Sequence, residues 1–244
     1  MYTSTTARLA RRGTSVCALA LFALAGCVGT VDESPAPGEP PTGAARATPA
    51  SGAQHYRVVP GESDVEIHVF RDGRLARLGH NHVIASTAIE GDLWLADRPD
   101  ESVVELVIDK VSLVVDDPAR REAAGEAFAT EPTAEAIAGT QENMLGADLL
   151  DAANFPAVTV STIDVEGEWP NLTLHAQVVV GDIPRPVSFP LLVREDGDRL
   201  VAQGQITVSH EQLGLQPFSV MLGALRVREE LQMYYSIVAA PAGG

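Results

Sequence analysis

The chain has 244 residues, of which 45% are hydrophobic and only 5% aromatic. This length is sufficient for one sizeable core but short for two large domains, so we expect a single domain with appendages. The 33 acidic residues outnumber the 17 lysines and arginines, which gives a net charge of -16. Because that charge repels phosphate backbones, the composition argues against nucleic acid as a partner.

The N-terminal segment has the pattern of a secretion signal. Three arginines precede an apolar run, residues 16–24, that is too short to span a bilayer. The following Leu24-Ala25-Gly26-Cys27 resembles a bacterial lipobox, which implies cleavage before Cys27 and acylation of its sulfur. We therefore predict a lipoprotein signal peptide at residues 1–26 and lipid attachment at Cys27. The mature protein would be anchored to a membrane of the bacterial cell envelope, facing the periplasm or the cell exterior.

Residues 27–54 are typical of a flexible tether. They contain five prolines among many Gly, Ala, Ser and Thr residues, with no apolar period. Cys17 would leave with the signal peptide, so no disulfide within the mature chain is expected. The tether would hold a folded domain, residues 55–240, away from the membrane surface.

From Tyr56 onward apolar and polar residues alternate, which predicts half-buried β-strands. Asp72-Gly73 and Asp196-Gly197 are turn pairs that predict hairpins. Residues 118–153 instead have apolar residues at helical intervals, and Pro118 suits a first helical turn. About eight strands are predicted, near residues 64–69, 83–96, 102–115, 156–166, 172–180, 186–195, 198–210 and 225–237.

The predicted fold class is mainly β, an eight-stranded antiparallel barrel with a helical insertion at about 118–153. A closed barrel removes exposed strand edges. Such a barrel can be filled by side chains or can hold one small ligand, and the alternation alone leaves both open.

Several short motifs in order resemble the YceI-like family. Tyr56-Arg57-Val58-Val59-Pro60 opens the domain, and the later motifs are Ser63, Val65, Phe70, Gly91, Asn154-Phe155-Pro156 and Gly214-Leu215. The resemblance covers residues 56–238 and implies a lipocalin-like barrel with a helical insertion, whose pore can hold a long polyisoprenoid chain. His175 is followed by Ala176 where many members have glycine, so only the apolar barrel face is carried over from the family.

An isoprenoid or other long apolar ligand needs a dry tunnel lined by aliphatic side chains. The inward faces of the predicted strands supply candidates for this lining: Val65, Ile67, Val69, Leu172, Leu174, Leu231 and Met233. The alternative is that these side chains simply fill a core.

Gly79-His80-Asn81-His82 is the most distinctive polar motif. If the two histidines already lie in the strand, parity puts them opposite the apolar face of Val83, outside the pore. Gly79 would allow a bend at the rim that turns both rings toward the barrel mouth. His210 is the first candidate for a third group there and His68 the second. His80, His82 and His210 are therefore polar candidates for the barrel mouth, where they could shape the mouth or meet a ligand headgroup, or bind a metal. The alternative is that they are ordinary strand or loop histidines.

Standard catalytic motifs are absent from the sequence, so no catalytic residue and no cofactor are predicted, and we expect a non-enzymatic protein. Three functions stay open. They are binding of an apolar isoprenoid-type ligand, a metal-binding or metal-dependent role for His80 and His82, and a structural envelope protein with a packed barrel. The sequence also leaves open whether the chain forms a homodimer.

Overall fold

The computed structural model describes residues 46–243, so the predicted signal peptide, Cys27 and most of the tether lie outside the described residues. Alternating residues form the strands, and the Ala- and Glu-rich insertion forms two α-helices. The strands are β1 (Gln54–Val58), β2 (Asp64–Val69), β3 (Arg71–Asp72), β4 (His82–Ser86), β5 (Ile89–Leu95), β6 (Val103–Asp109), β7 (Val114–Val115), β8 (Ala157–Glu168), β9 (Asn171–Val179), β10 (Arg185–Asp196), β11 (Arg199–Ser209), β12 (Ser219–Val220), β13 (Leu225–Val227) and β14 (Glu230–Pro241). The helices are α1 (Pro118–Ala123) and α2 (Ala134–Leu145).

Eight strands close into an antiparallel barrel. Their order around the wall is β1-β5-β6-β8-β9-β10-β11-β14, and β14 pairs with β1 to complete the ring. The closing pairs are Tyr56 with Pro241 and Val58 with Ala239. The predicted mainly β barrel with a helical insertion is therefore confirmed.

Three neighbouring strands are each interrupted once, at the same level of the wall. Residues 59–63 separate β1 from β2, residues 87–88 separate β4 from β5, and residues 110–113 separate β6 from β7. Past these breaks β4 pairs with β2 on one side and with β7 on the other, and β2 also pairs with β14. The prediction of continuous strands at 83–96 and 102–115 was therefore wrong. Each is two shorter strands joined by an irregular segment.

The end of the barrel near β2 and β14 carries a second, three-stranded sheet, in the order β12-β13-β3. The predicted strand 225–237 divides because β13 joins this small sheet while β14 joins the barrel. The hairpin predicted at Asp72-Gly73 is also wrong, since β3 pairs with β13. Asp196-Gly197 does join the paired strands β10 and β11, with Gly197 in the left-handed region at φ 67°.

The helical insertion follows β7. Asp117 caps α1 by accepting hydrogen bonds from the backbone N–H groups of Ala119 and Arg120, both at 3.1 Å, and Pro118 occupies the first turn. Thr133 caps α2 in the same way. In the described part of the chain, neither helix is long and apolar enough to cross a membrane.

The barrel interior has two apolar clusters. One extends across the barrel from β5 and β6 along the whole of β9, and includes the buried Leu93, Leu172 and Leu174. The other joins β2, β4, β7 and β14 to α2 through Val69, Leu231 and Met144. Both clusters border an internal space, which is lined by Val65 and Val178 of the first cluster and Leu231 of the second.

Candidate ligand-binding site

The half of the barrel bounded by β2, β4 and β14 contains a cavity of about 270 Å³. Voids left by imperfect packing rarely exceed one water molecule, so a space of this size is a built feature of the fold. Its wall is mainly aliphatic. Five of the predicted ligand-binding side chains are part of that wall: Val65, Ile67, Val69, Leu231 and Met233.

The strand register aligns the middle of this wall. Met233 of β14 lies directly opposite Ile67 of β2, and Ile67 lies opposite Ile84 of β4. Because opposite residues share a face, three adjacent strands present one aliphatic row to the cavity.

Leu172 and Leu174, the other two predicted lining residues, lie elsewhere. Both face inward with Val178 and Val180, which do line the cavity. They are 6% and 5% exposed, however, and are packed among other core side chains of the same cluster, away from the cavity surface. The structure therefore places these two leucines in the core next to the cavity and leaves them out of its wall.

The cavity exists because the barrel wall divides beside β7. β6 pairs with β8 as far as Asp109, which lies opposite Ala157, the first residue of β8. Beyond this point β7 pairs only with β4 among the described residues, so the other edge of β7 has no strand beside it. The segment from α2 to Leu150 fills this division. Gln141 donates to the carbonyl of Leu113 at 2.9 Å, and the insertion adds Met144, Leu149 and Leu150 to the lining.

Lys110 stands at the point of division and is fully buried. Its Nζ donates to the carbonyl oxygens of Leu150 and Val180, each at 2.6 Å. Burial lowers the pKa of this ammonium below its usual range. The two hydrogen bonds tie the helical insertion to the end of β9, which fixes one side of the cavity.

The predicted polar residues at the barrel mouth all contribute to the cavity wall: His80, His82 and His210. Parity had predicted His80 and His82 outside the pore. That inference was wrong because the break at Thr87 and Ala88 shifts the inward face by one residue: His82 pairs with Val69 and Ile84 with Ile67, both lining residues.

Asn81, between the two histidines, fixes their segment from the other side. Its Oδ1 accepts from the Arg71 backbone N–H at 3.0 Å, and its Nδ2 donates to the carbonyl of Ala127 at 2.8 Å. Arg71 in turn donates from its guanidinium to the carbonyl of Gly79. With Asn81 held to the protein, the rings of His80 and His82 contribute to the cavity wall, with centroids 6.2 Å apart.

His82 is oriented by a buried carboxylate. Its Nδ1 lies 2.6 Å from Oδ2 of Asp116, whose Oδ1 accepts from the Val83 N–H at 3.0 Å and from the Arg121 guanidinium. Arg121 also donates to the carbonyls of Asn81, Phe128 and Thr130, so this guanidinium connects the histidine segment to the loop after α1. A carboxylate can only accept, so Nδ1 carries the hydrogen and Nε2 is the ring nitrogen left for a ligand.

His210 has the same arrangement with a different partner. Its Nδ1 donates to the carbonyl of Glu229 at 2.8 Å, which again leaves Nε2 available. Burial, and then the neighbouring His82, Arg71 and Arg121, lower the pKa of His80. At neutral pH the His80 ring is therefore an uncharged hydrogen-bonding group at the mouth of an apolar space.

The pKa of Asp116 reflects the same network. Burial alone would raise it, but hydrogen bonds from His82, Val83 and Arg121 outweigh burial and lower the pKa. Asp116 also adopts a positive φ of 58°, a conformation that costs a non-glycine residue energy. The sequence inference missed Asp116 and Arg121. The only local signal was Asp-Asp-Pro at the start of the insertion, where one aspartate caps α1 and the other turns inward.

The residues 46–243 contain no group of three or more His, Cys, Asp or Glu side chains arranged to hold a metal ion. The third histidine expected beside His80 and His82 lines the same cavity but does not complete such a group. His68, the second choice, lies on β2 with its Nε2 2.7 Å from Glu66 and is not part of the wall.

The fold and cavity define the class of protein: a closed antiparallel β-barrel with an apolar internal cavity and a polar mouth. The YceI-like domain family matches residues 56–239, so the chain belongs to this family. The predicted family resemblance is confirmed. No curated protein sequence matches the chain.

Solved structures share the fold at low sequence identity. BcnA of Burkholderia cenocepacia is 13% identical, with a TM-score of 0.55 over 75% of this chain and 99% of BcnA. A polyisoprenoid binding domain from Saccharophagus degradans, implicated in plant cell wall breakdown, is 12% identical, with a TM-score of 0.50 over 76% of this chain and 98% of that domain. At these identities the likeness concerns the barrel architecture.

Proposed function

We propose that this protein binds a long apolar ligand of the isoprenoid type inside its barrel, with the polar end of the ligand at the histidine-lined mouth. The observation that carries the proposal is a 270 Å³ cavity whose aliphatic wall ends in His80, His82 and His210. Each methylene buried there contributes about 0.8 kcal/mol to binding. The polyisoprenoid-binding domain of Saccharophagus degradans, which shares the fold, supports this class of ligand.

The polar mouth favours a ligand with a hydrogen-bonding head over a pure hydrocarbon. His82 and His210 each keep one ring nitrogen for a ligand because Asp116 and the Glu229 carbonyl occupy the other. A prenol hydroxyl fits such a nitrogen, because the hydroxyl donates a hydrogen bond and a ring nitrogen without a hydrogen accepts it. The role is binding or carriage, without a catalytic step.

The packed-barrel alternative is less well supported. A structural protein gains nothing from a void of this size, because an empty cavity forfeits the dispersion contacts of its lining. The metal-binding alternative has no specific observation in its favour within the described residues.

A displacement experiment tests the proposed ligand class. The purified full chain is loaded with the fluorescent apolar probe N-phenyl-1-naphthylamine and titrated with farnesol or with the saturated hydrocarbon of the same skeleton. Farnesol is expected to displace the probe, and His210→Phe to weaken farnesol roughly threefold to tenfold while the hydrocarbon is unaffected. His55→Phe is the control, since His55 pairs with Asp92 and does not line the cavity. Failure of both compounds to displace bound probe would reject the proposed ligand class.

The cellular location is part of the proposal. We infer from the lipobox at residues 24–27 that Cys27 is acylated and that the anchor holds the barrel on a membrane of the bacterial envelope. An apolar ligand of the proposed class would partition into such a membrane. Two or more acyl chains hold a protein stably, whereas one chain binds only marginally.

Cys27→Ser is expected to release the protein from washed membranes into the soluble fraction, because serine cannot form the thioether anchor. Cys17→Ser is the matched control, since Cys17 lies within the apolar run of the signal and should be dispensable. Immunoblots of the two fractions check the result. Full retention of the Cys27→Ser protein on membranes would argue against the anchor.

A further inference from the structure

Apolar side chains surround the mouth of the cavity and point into solvent. Leu78 is 56% exposed, Met221 64% and Leu222 108%, although each is large and apolar. They belong to two segments, residues 71–79 and 215–228, which we call the rim. The segments contact each other, because the Leu75 N–H donates to the carbonyl of Ala224 at 2.7 Å. Gly79, Phe218 and Leu225 of the rim also line the cavity, so the rim is its entrance.

The tip of the rim has a strained backbone. Met221 and Leu222 have positive φ values of 52° and 56°, and Gly223 follows at 82°. Residues other than glycine disfavour positive φ values, so this backbone conformation costs energy. The two apolar side chains point into water, which does not offset that cost. A conformation of this kind is favoured when the exposed side chains have an apolar environment to enter.

The rim has a charge opposite to that of the whole chain. The whole chain has a net charge of -16, but the rim contains only one acidic residue, Asp72. It contains five arginines: Arg71, Arg74, Arg77, Arg226 and Arg228. Arg226 neutralises Asp72 through an ion pair at 2.7 Å. Arg74 and Arg77 are exposed and form no ion pair with any of the residues 46–243. Positive side chains around an apolar tip match an anionic bilayer surface, where the tip enters the acyl boundary and the arginines meet the headgroups.

We propose that the rim docks on an anionic lipid bilayer, with Leu222 and Met221 inserted and the cavity mouth facing the membrane. This inference goes beyond ligand binding, because it stands on the rim alone and holds whatever the cavity contains. A second copy of the chain would be a poorer partner for the rim than an anionic bilayer. A twofold contact through the rim would bring its arginines against one another.

Leu222→Trp places a reporter at the tip of the rim. The full-chain variant is mixed with vesicles of equimolar phosphatidylglycerol and phosphatidylcholine whose acyl chains are brominated, and tryptophan quenching is measured. Val111→Trp is the matched control, because Val111 is also apolar and 65% exposed but lies on the barrel wall, between β6 and β7. Every variant keeps the same N-terminus, so a lipid anchor contributes equally to all of them.

We expect strong quenching of Leu222→Trp, little quenching of Val111→Trp, and a large loss in vesicles of phosphatidylcholine alone. Adding Arg74→Glu and Arg77→Glu should weaken the rim-dependent quenching roughly tenfold or more. These two arginines do not line the cavity, so farnesol binding should be unchanged, which separates failure of docking from failure of ligand binding. Equal quenching at both positions, or quenching that ignores the anionic lipid, would overturn the proposal. A concentration-dependent shift of Leu222→Trp emission without vesicles would also overturn it, in favour of self-association.

Discussion

Ile67→Trp is expected to remove most apolar-ligand binding while leaving the barrel folded. Ile67 lies in the middle of the aliphatic row, between Met233 and Ile84, and its side chain faces the cavity. An indole placed there occupies space that the ligand would fill. Excluding about three methylenes costs about 2.4 kcal/mol, which is roughly a fiftyfold loss of affinity. Farnesol titration of the probe-loaded protein measures this loss.

Leu174→Trp is the matched comparison. Leu174 faces the same interior but is packed in the core beside the cavity, where it is 5% exposed. A larger side chain there overpacks the core, and we expect a loss of about 1–3 kcal/mol in the free energy of unfolding. Ile67→Trp should lose less than about 1 kcal/mol by the same denaturant measurement, because the cavity accepts the added volume. Equal destabilisation by the two substitutions would indicate that the barrel is solid at Ile67.

Asp116→Asn is expected to give the largest loss of stability, about 3–5 kcal/mol in the free energy of unfolding. The asparagine is uncharged, so the guanidinium of Arg121, which is 7% exposed, would have no buried counter-charge. The amide also presents a donor where His82 Nδ1–H needs an acceptor. Urea denaturation of the wild-type and variant proteins at neutral pH checks this expectation.

The pH dependence of stability provides a second readout of Asp116. Its pKa is lowered below 3.8 in the folded protein, so it contributes stability that is fully present above that value and is lost as the pH falls through the folded pKa. The wild-type protein should therefore lose stability below about pH 4, and Asp116→Asn should lack that part of the dependence. Asp117→Asn serves as control, because asparagine caps α1 about as well as aspartate. An Asp116→Asn protein as stable as Asp117→Asn would contradict the proposed network.

The sequence was sufficient for the architecture because strand alternation is a local signal. Val65, Ile67 and Val69 share one face because alternate residues of any strand point to the same side. Pro118 marks the start of the helical insertion because its fixed φ suits a first helical turn. The cavity wall was predicted where such strands are regular. It was missed at Leu172 and Leu174 because parity identifies the inward face but not the level of the barrel at which a residue lies.

The polar mouth depends on long-range geometry that local patterns do not contain. The shift at Thr87 and Ala88 moves His82 to the inner face, and no residue there marks a break as a glycine or proline would. Asp116 meets His82 although the two residues are 34 positions apart in the sequence, and Arg121 contacts Asp116 from helix α1. Such contacts follow from the closed barrel and the seating of the insertion, so they appear only once the chain is folded.

Organic extraction of the protein purified from its native host, followed by mass spectrometry, tests whether the cavity holds a ligand. An apolar chain of the isoprenoid type with a polar end should be recovered in near-stoichiometric amount from the wild-type protein. The Ile67→Trp protein, purified in parallel, should yield much less of the same compound. Absence of any bound apolar molecule from the wild-type protein, or equal recovery from both proteins, would contradict ligand binding in the cavity.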